Sequence, residues 1–156
     1  MSIESHKTLV RRYFEAFHQP EIYDEILASD FHMTALHHAT LSPGGTARGP
    51  QAYKAAAVWM QSVWQDGRMT VDELLAEGDR VMALWAFRGA QMGEMFGPPP
   101  TGKEISYSGV NLFRIENDKL AESWDMFDRL WLWQQLDVLP GTGEFLAAAR
   151  KARTGQ

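Results

Sequence analysis

The run Glu122-Ser123-Trp124-Asp125-Met126-Phe127-Asp128 ends in a carboxylate, and Leu130, Trp131, Leu132 and Trp133 follow it. A carboxylate in dry aromatic surroundings holds its proton more readily, which moves it toward exchange with a carbon acid or activation of water. Asp128 is therefore the leading catalytic candidate. Spacing alone leaves open a surface aspartate that caps the segment opening near Arg129. Asp125 competes, but strand alternation sets it opposite Trp124, Met126 and Asp128. His32 is the second candidate, because an imidazole facing a cavity could polarise a carbonyl or share a proton with Asp128; a structural or surface histidine is the alternative. Tyr107 and Asn111 share strand parity, so a phenol could donate to a substrate oxygen and an amide could orient an enolate or water. Gln91 could make similar contacts. Trp85 and Trp124 are candidate pocket walls, and Met92 and Phe96 form an adjustable apolar lip, with ordinary packing as the alternative for each. His37-His38 is a weak metal signal: neighbouring strand residues point oppositely and no third ligand is evident. The expectation is no metal.

The elements that must position these groups fit in one domain. At 156 residues the chain has room for one hydrophobic core. Its 45% hydrophobic and 22% charged residues argue against general disorder. A net charge of -5, with the main basic cluster at Arg150, Lys151 and Arg153, disfavours non-specific nucleic-acid binding. With 0 cysteines there is no disulfide framework, thiolate nucleophile or cysteine-bound metal. No apolar run is long enough for a membrane helix and no signal-like segment opens the chain, so a cytoplasmic protein is expected. The 6 tryptophans and 8 phenylalanines suit a lined cavity, an interface or a bulky core.

Leu9, Val10, Tyr13, Phe14 and Phe17 recur at helical spacing over Ser5 to Phe17, and Pro20-Glu21 opens a second short helix. Asp30 to Leu36 reads as a strand, residues 42–50 as a loop, and Gln51 to Trp64 as a helix that Gly67 interrupts. Arg80 to Phe87, Ile105 to Ile115 and Leu120 to Phe127 are strands, the last two joined by Glu116-Asn117-Asp118-Lys119. Helices on one face of a strongly curved antiparallel sheet make an α+β domain with a conical interior. Residues 1–140 form this domain, and 141–156 are a C-terminal extension, partly helical or flexible.

Three groups of residues carry a family resemblance: Glu77-Gly78-Asp79-Arg80-Val81 through Pro99-Pro100-Thr101-Gly102-Lys103, Gly109-Val110-Asn111-Leu112-Phe113-Arg114, and Glu122-Ser123-Trp124-Asp125-Met126-Phe127-Asp128. Together with Leu9-Val10-Arg11-Arg12-Tyr13-Phe14, they make residues 5–138 similar to the SnoaL-like polyketide cyclases of the NTF2-like superfamily. The resemblance implies an NTF2-like cone of curved sheet and helices around a substrate pocket, a homodimer, and no metal or organic cofactor. It also implies an acid that moves a proton during intramolecular aldol closure, at a position matched here by Asp128.

The function expected is cofactor-independent, aldol-type ring closure of a small hydrophobic carbonyl compound. The alternatives are an epoxide hydrolase or isomerase-like enzyme, or a non-catalytic small-molecule-binding protein. Because both faces of Val81 to Phe87 are largely apolar, one should line the cone and the other should meet a second subunit.

Overall fold

Apolar residues three and four apart start the chain as a helix. In the computed structural model, which describes residues 2–35, 47–95 and 99–154, α1 (Ile3–Glu15) buries Leu9, Val10 and Phe14. Ser2 caps it by accepting from the Ser5 N–H at 3.1 Å. α2 (Ile22–Ile26) follows Pro20, and β1 (Leu27–Ala35) begins earlier than the expected Asp30. α3 (Gly49–Val63) carries proline in its first turn, and β2 (Trp64–Glu77) starts directly after it.

Gly67 therefore lies in a strand and does not end a helix. Asp66 turns the backbone at φ 52°, and the β2–β3 register shifts between Gln65 and Arg68. A side chain at Gly67 would meet ring atoms of Phe17 and Phe87, each at 3.3 Å, so glycine allows this irregular strand to pass close to the core.

β3 (Arg80–Gln91), β4 (Glu104–Glu116) and β5 (Lys119–Phe127) complete the sheet. Asn117 and Asp118 both take left-handed φ, 50° and 61°, which gives the β4–β5 hairpin a two-residue turn matched to strand twist. α4 (Arg129–Gln135) and α5 (Thr142–Thr154) follow, the latter exposed along its described length. The strand order is β1-β5-β4-β3-β2: β2 to β5 are antiparallel neighbours, and β1 joins β5 in parallel. α1 packs against β2 and β3, and α3 against β1 and β2, which gives the expected α+β arrangement.

Alternation assigns each strand an inner and an outer side. Val81, Ala83, Trp85 and Phe87 of β3 are buried, as are Ile105, Tyr107, Asn111 and Phe113 of β4. On the other side Leu84 and Met126 stay exposed, at 38% and 43%.

Gly109 is the tightest point of the inner face. It pairs with Trp85, and a Cβ on it would lie 2.4 Å from Trp85 Cζ2 and 2.8 Å from Phe127 Cβ. Its bare backbone lets the indole lie across β4. Gly109→Ala should cost about 1–3 kcal/mol of stability through overpacking, measured by urea unfolding. The same substitution should displace the Trp85 ring, read as a change in tryptophan fluorescence.

Candidate active site

Buried polar side chains among the described residues are Gln91, Asn111, Ser123 and Asp125. The last three stand together on β4 and β5, where Asn111 pairs with Asp125 and Phe113 with Ser123 across the strands. Trp85 Nε1 donates to Asn111 Oδ1 at 2.6 Å, and Asn111 Nδ2 donates to Ser123 Oγ at 3.0 Å. Aromatic rings adjoin this network: Tyr107 contacts Trp85, with ring centroids 5.9 Å apart, and Phe127 at 5.4 Å. A fixed polar chain on an aromatic wall can bind and orient an oxygen atom in an apolar molecule.

Asp125 is the ionisable member. Burial raises its carboxyl above the ordinary aspartate value, while the Arg129 charge opposes the shift. Tyr13 on α1 and Tyr53 on α3 sense the same charge. Burial is the main reason that their phenols are raised, and Asp125 adds to it. Burial alone raises Tyr107. The sheet thus presents a reluctantly ionised carboxyl, and the helices face it with protonated phenols.

The expected placement of Asp128 is corrected. Asp128 is exposed and is the N-cap of α4, where its Oδ1 accepts from the Trp131 N–H at 2.9 Å. The cause is a register shift in the β4–β5 hairpin. Ile115 pairs with Leu120 but Arg114 pairs with Glu122, so Ala121 is an extra residue on β5. Leu120 and Ala121 are both buried, and beyond them Ser123 and Asp125 face inward. Trp124 consequently stands on the outer side, beneath the Arg80 guanidinium at 5.4 Å, and not in a pocket wall.

His32 pairs with Glu122 across β1 and β5, its Nε2 3.3 Å from Glu122 Oε1, so its carboxylate partner is Glu122 and not Asp128. Gln91 is fully buried, but its Oε1 accepts from the Thr101 hydroxyl at 2.8 Å and its Nε2 donates to the Gly93 carbonyl at 3.2 Å. It clamps the β3–β4 connection, with no substrate contact needed to satisfy it. Met92 is exposed, while Phe96 and His37-His38 lie outside the described residues. Tyr107, Asn111 and Trp85 face inward as expected, but the Trp85 N–H is engaged by Asn111. Ser123 escaped the sequence reading altogether. Its only signal was the phase of β5, which the extra residue reverses.

No group of three or more metal-ligating side chains occurs among the described residues, and none of their helices is long and apolar enough to cross a membrane.

Residues 7–136 match the family described as SnoaL-like polyketide cyclase. The chain belongs to that family, within the NTF2-like superfamily. It is similar to aklanonic acid methyl ester cyclase DnrD of Streptomyces peucetius, 30% identical over 129 residues, 82% of this chain and 88% of the relative. Nogalonic acid methyl ester cyclase of Streptomyces nogalater is 28% identical over 106 residues, 67% of this chain and 75% of that one. The solved structure of TsrD from Streptomyces laurentii superposes with a TM-score of 0.78 at 28% identity, covering 89% of this chain and 99% of that chain. In broad class the protein is a polyketide-cyclase-like enzyme.

A carboxyl with a raised folded-state pKa binds its proton more tightly when folded, so its burden appears as pH rises through the unfolded value and reaches full size above the folded one. Asp125→Asn should therefore raise the melting temperature at pH 7. The gain should disappear below about pH 4, where both states of the parent hold the proton. Thermal unfolding of the two proteins between pH 3 and 8 checks the sign.

Proposed function

We propose that this enzyme catalyses cofactor-independent, intramolecular aldol-type ring closure of an apolar carbonyl compound, with Asp125 as acid and base. One observation carries the reading: among the described residues, Asp125 is the one buried carboxyl, on the inner sheet face that bears the Trp85–Asn111–Ser123 network. Asp125, ionised, takes the proton from a carbon between or beside carbonyl groups. The C–H electron pair becomes an enolate, whose oxygen is met by N–H or O–H donors of the inner face, Asn111 and Tyr107 first among them. The enolate carbon then attacks a second carbonyl of the same molecule. A C–C bond forms, the C=O π bond opens, and the new alkoxide recovers the proton from Asp125. Aromatic walls hold the chain folded and keep water out, which favours closure over side reactions.

Relatives named as cyclases of aklanonic and nogalonic acid methyl esters support trying those esters first. Turnover of aklanonic acid methyl ester should fall about 10²–10⁴-fold in Asp125→Asn, the usual worth of a general acid–base group. Asp128→Asn keeps a capping oxygen and should retain turnover within about twofold. Equal turnover by the parent and Asp125→Asn would sink the assignment; product with an unchanged ring count would favour an isomerase.

The second proposal is a symmetric homodimer through the outer sheet face. Leu84 and Met126 are exposed there, and Asp128 shares a shallow groove with Leu84, Val110 and Met126. Apolar strand faces without a helix layer are ordinary pairing surfaces. Sedimentation at micromolar concentration should give a dimer, and Met126→Glu should yield a folded monomer. A parent that stays monomeric defeats this arrangement.

A further inference from the structure

The contact between Trp85 and Asn111 has one chemical solution. An indole N–H can only donate, so the amide atom 2.6 Å from Trp85 Nε1 is the oxygen. The amide nitrogen must then face Ser123, whose Oγ accepts at 3.0 Å. An asparagine without such neighbours can adopt either flip. Here the oxygen edge is turned toward β3, which bears Trp85. The nitrogen edge is turned toward β5, which bears Ser123 and Asp125, the cross-strand partner of Asn111. All four side chains are buried, and Gly109 leaves the room that lets the indole reach across β4.

We propose that Trp85 and Ser123 are positioning residues that act through Asn111. Together they hold its amide with nitrogen toward Asp125, so the site offers an N–H and not a carbonyl oxygen to negative charge. That charge rests on the Asp125 carboxylate before proton removal and on the enolate oxygen after it. The inference rests on the reading of Asp125 as the acid–base group. Its chemical content is pre-organisation: the donor is aimed before substrate arrives, and no reorientation is needed as charge moves. Without the clamp the amide could turn and set its oxygen beside the carboxylate, where two partial negative charges would repel. Among the described residues, the other titratable groups that sense or shift Asp125 are Tyr13 from α1, Tyr53 from α3 and Arg129 from α4, of which Arg129 is the cation.

Two substitutions test this without a substrate. Trp85→Phe keeps an aromatic ring above Gly109 but removes the donor, and Ser123→Ala removes the acceptor with little change of volume. The readouts are the Asp125 titration midpoint by carboxyl carbon NMR and the Asn111 side-chain N–H signals, identified by their loss in Asn111→Leu. Each substitution should move the midpoint upward by about half a pH unit, since a donor to the charged form has been lost. In the Asn111→Leu background neither should move it further. Equal shifts in both backgrounds would mean that Trp85 and Ser123 act on Asp125 by some other route, and the proposal would fall. No shift from either variant would overturn it too. Should Trp85→Phe not fold, Ser123→Ala carries the same decision alone. With a turned-over substrate, both variants should lower kcat about tenfold and leave KM within twofold, the pattern for a group felt mainly in the transition state. If Asp125→Asn retains turnover while the NMR coupling persists, the acid–base reading fails and the positioning of Asn111 stands.

Discussion

The extra residue at Ala121 is the constraint on which the inner face depends. A strand has two sides, and a register shift of one residue exchanges them. Leu120 still pairs with Ile115, as the tight Asn117-Asp118 turn requires, but beyond Ala121 every partner is displaced by one. Without that displacement Trp124 would stand opposite Asn111, and Asp125 would point away from the helices. Bulges of this kind bend a strand and re-aim its side chains. Here one converts an apolar hairpin into a sheet with a carboxyl in its core.

Placing that carboxyl inside works against folding, since ionisation in a dry setting is unfavourable. The surroundings limit the penalty without abolishing it. Arg129 attracts the charge without cancelling the upward shift that burial causes. The result is a carboxyl held above the ordinary aspartate value, a shift opposite to the one that a structural salt bridge produces. Tyr13 and Tyr53 come from helices, so the same packing that dries the carboxyl also supplies hydroxyl groups near it.

Much of this was legible in the sequence. Periods of three and four residues marked α1 and α3, alternation marked β3 and β4, and the inward parity of Tyr107 and Asn111 followed from it. In β5 the relative parity of Asp125 against Trp124 and Met126 is correct, but the aromatic neighbours of Asp128 point to the wrong side as the inner one, and nothing in Leu120-Ala121-Glu122 announces a bulge. Alanine is small enough for either side. Asp128 has aromatic sequence neighbours, yet Leu130 and Trp131 of α4 are exposed, and Phe127 packs inward on the opposite side of the strand end. Sequence proximity to aromatic residues is not burial. The partners of Gln91 are not legible in the sequence, because Thr101 and Gly93 lie on either side of a connection whose path no local pattern predicts.

Asp128 still has a physical task, and it explains why an aspartate suits that position. β5 ends at Phe127, opposite Gly109, so the stretch of β4 before Gly109 would be left as an open sheet edge. Open edges invite pairing with other chains unless something covers them. The Asp128 N–H donates to the Ser108 carbonyl at 3.2 Å, and its side chain begins α4. Two turns later Gln135 closes the edge: its Oε1 accepts from the Ser106 N–H at 3.0 Å and its Nε2 donates to the Ser106 carbonyl at 2.8 Å. One side-chain amide thus replaces both hydrogen bonds that a neighbouring strand would have made. The two aspartates at the end of β5 differ by their side of the sheet: Asp125 is buried on the face that the helices cover, while Asp128 leaves the strand and turns the chain to seal its neighbour's edge.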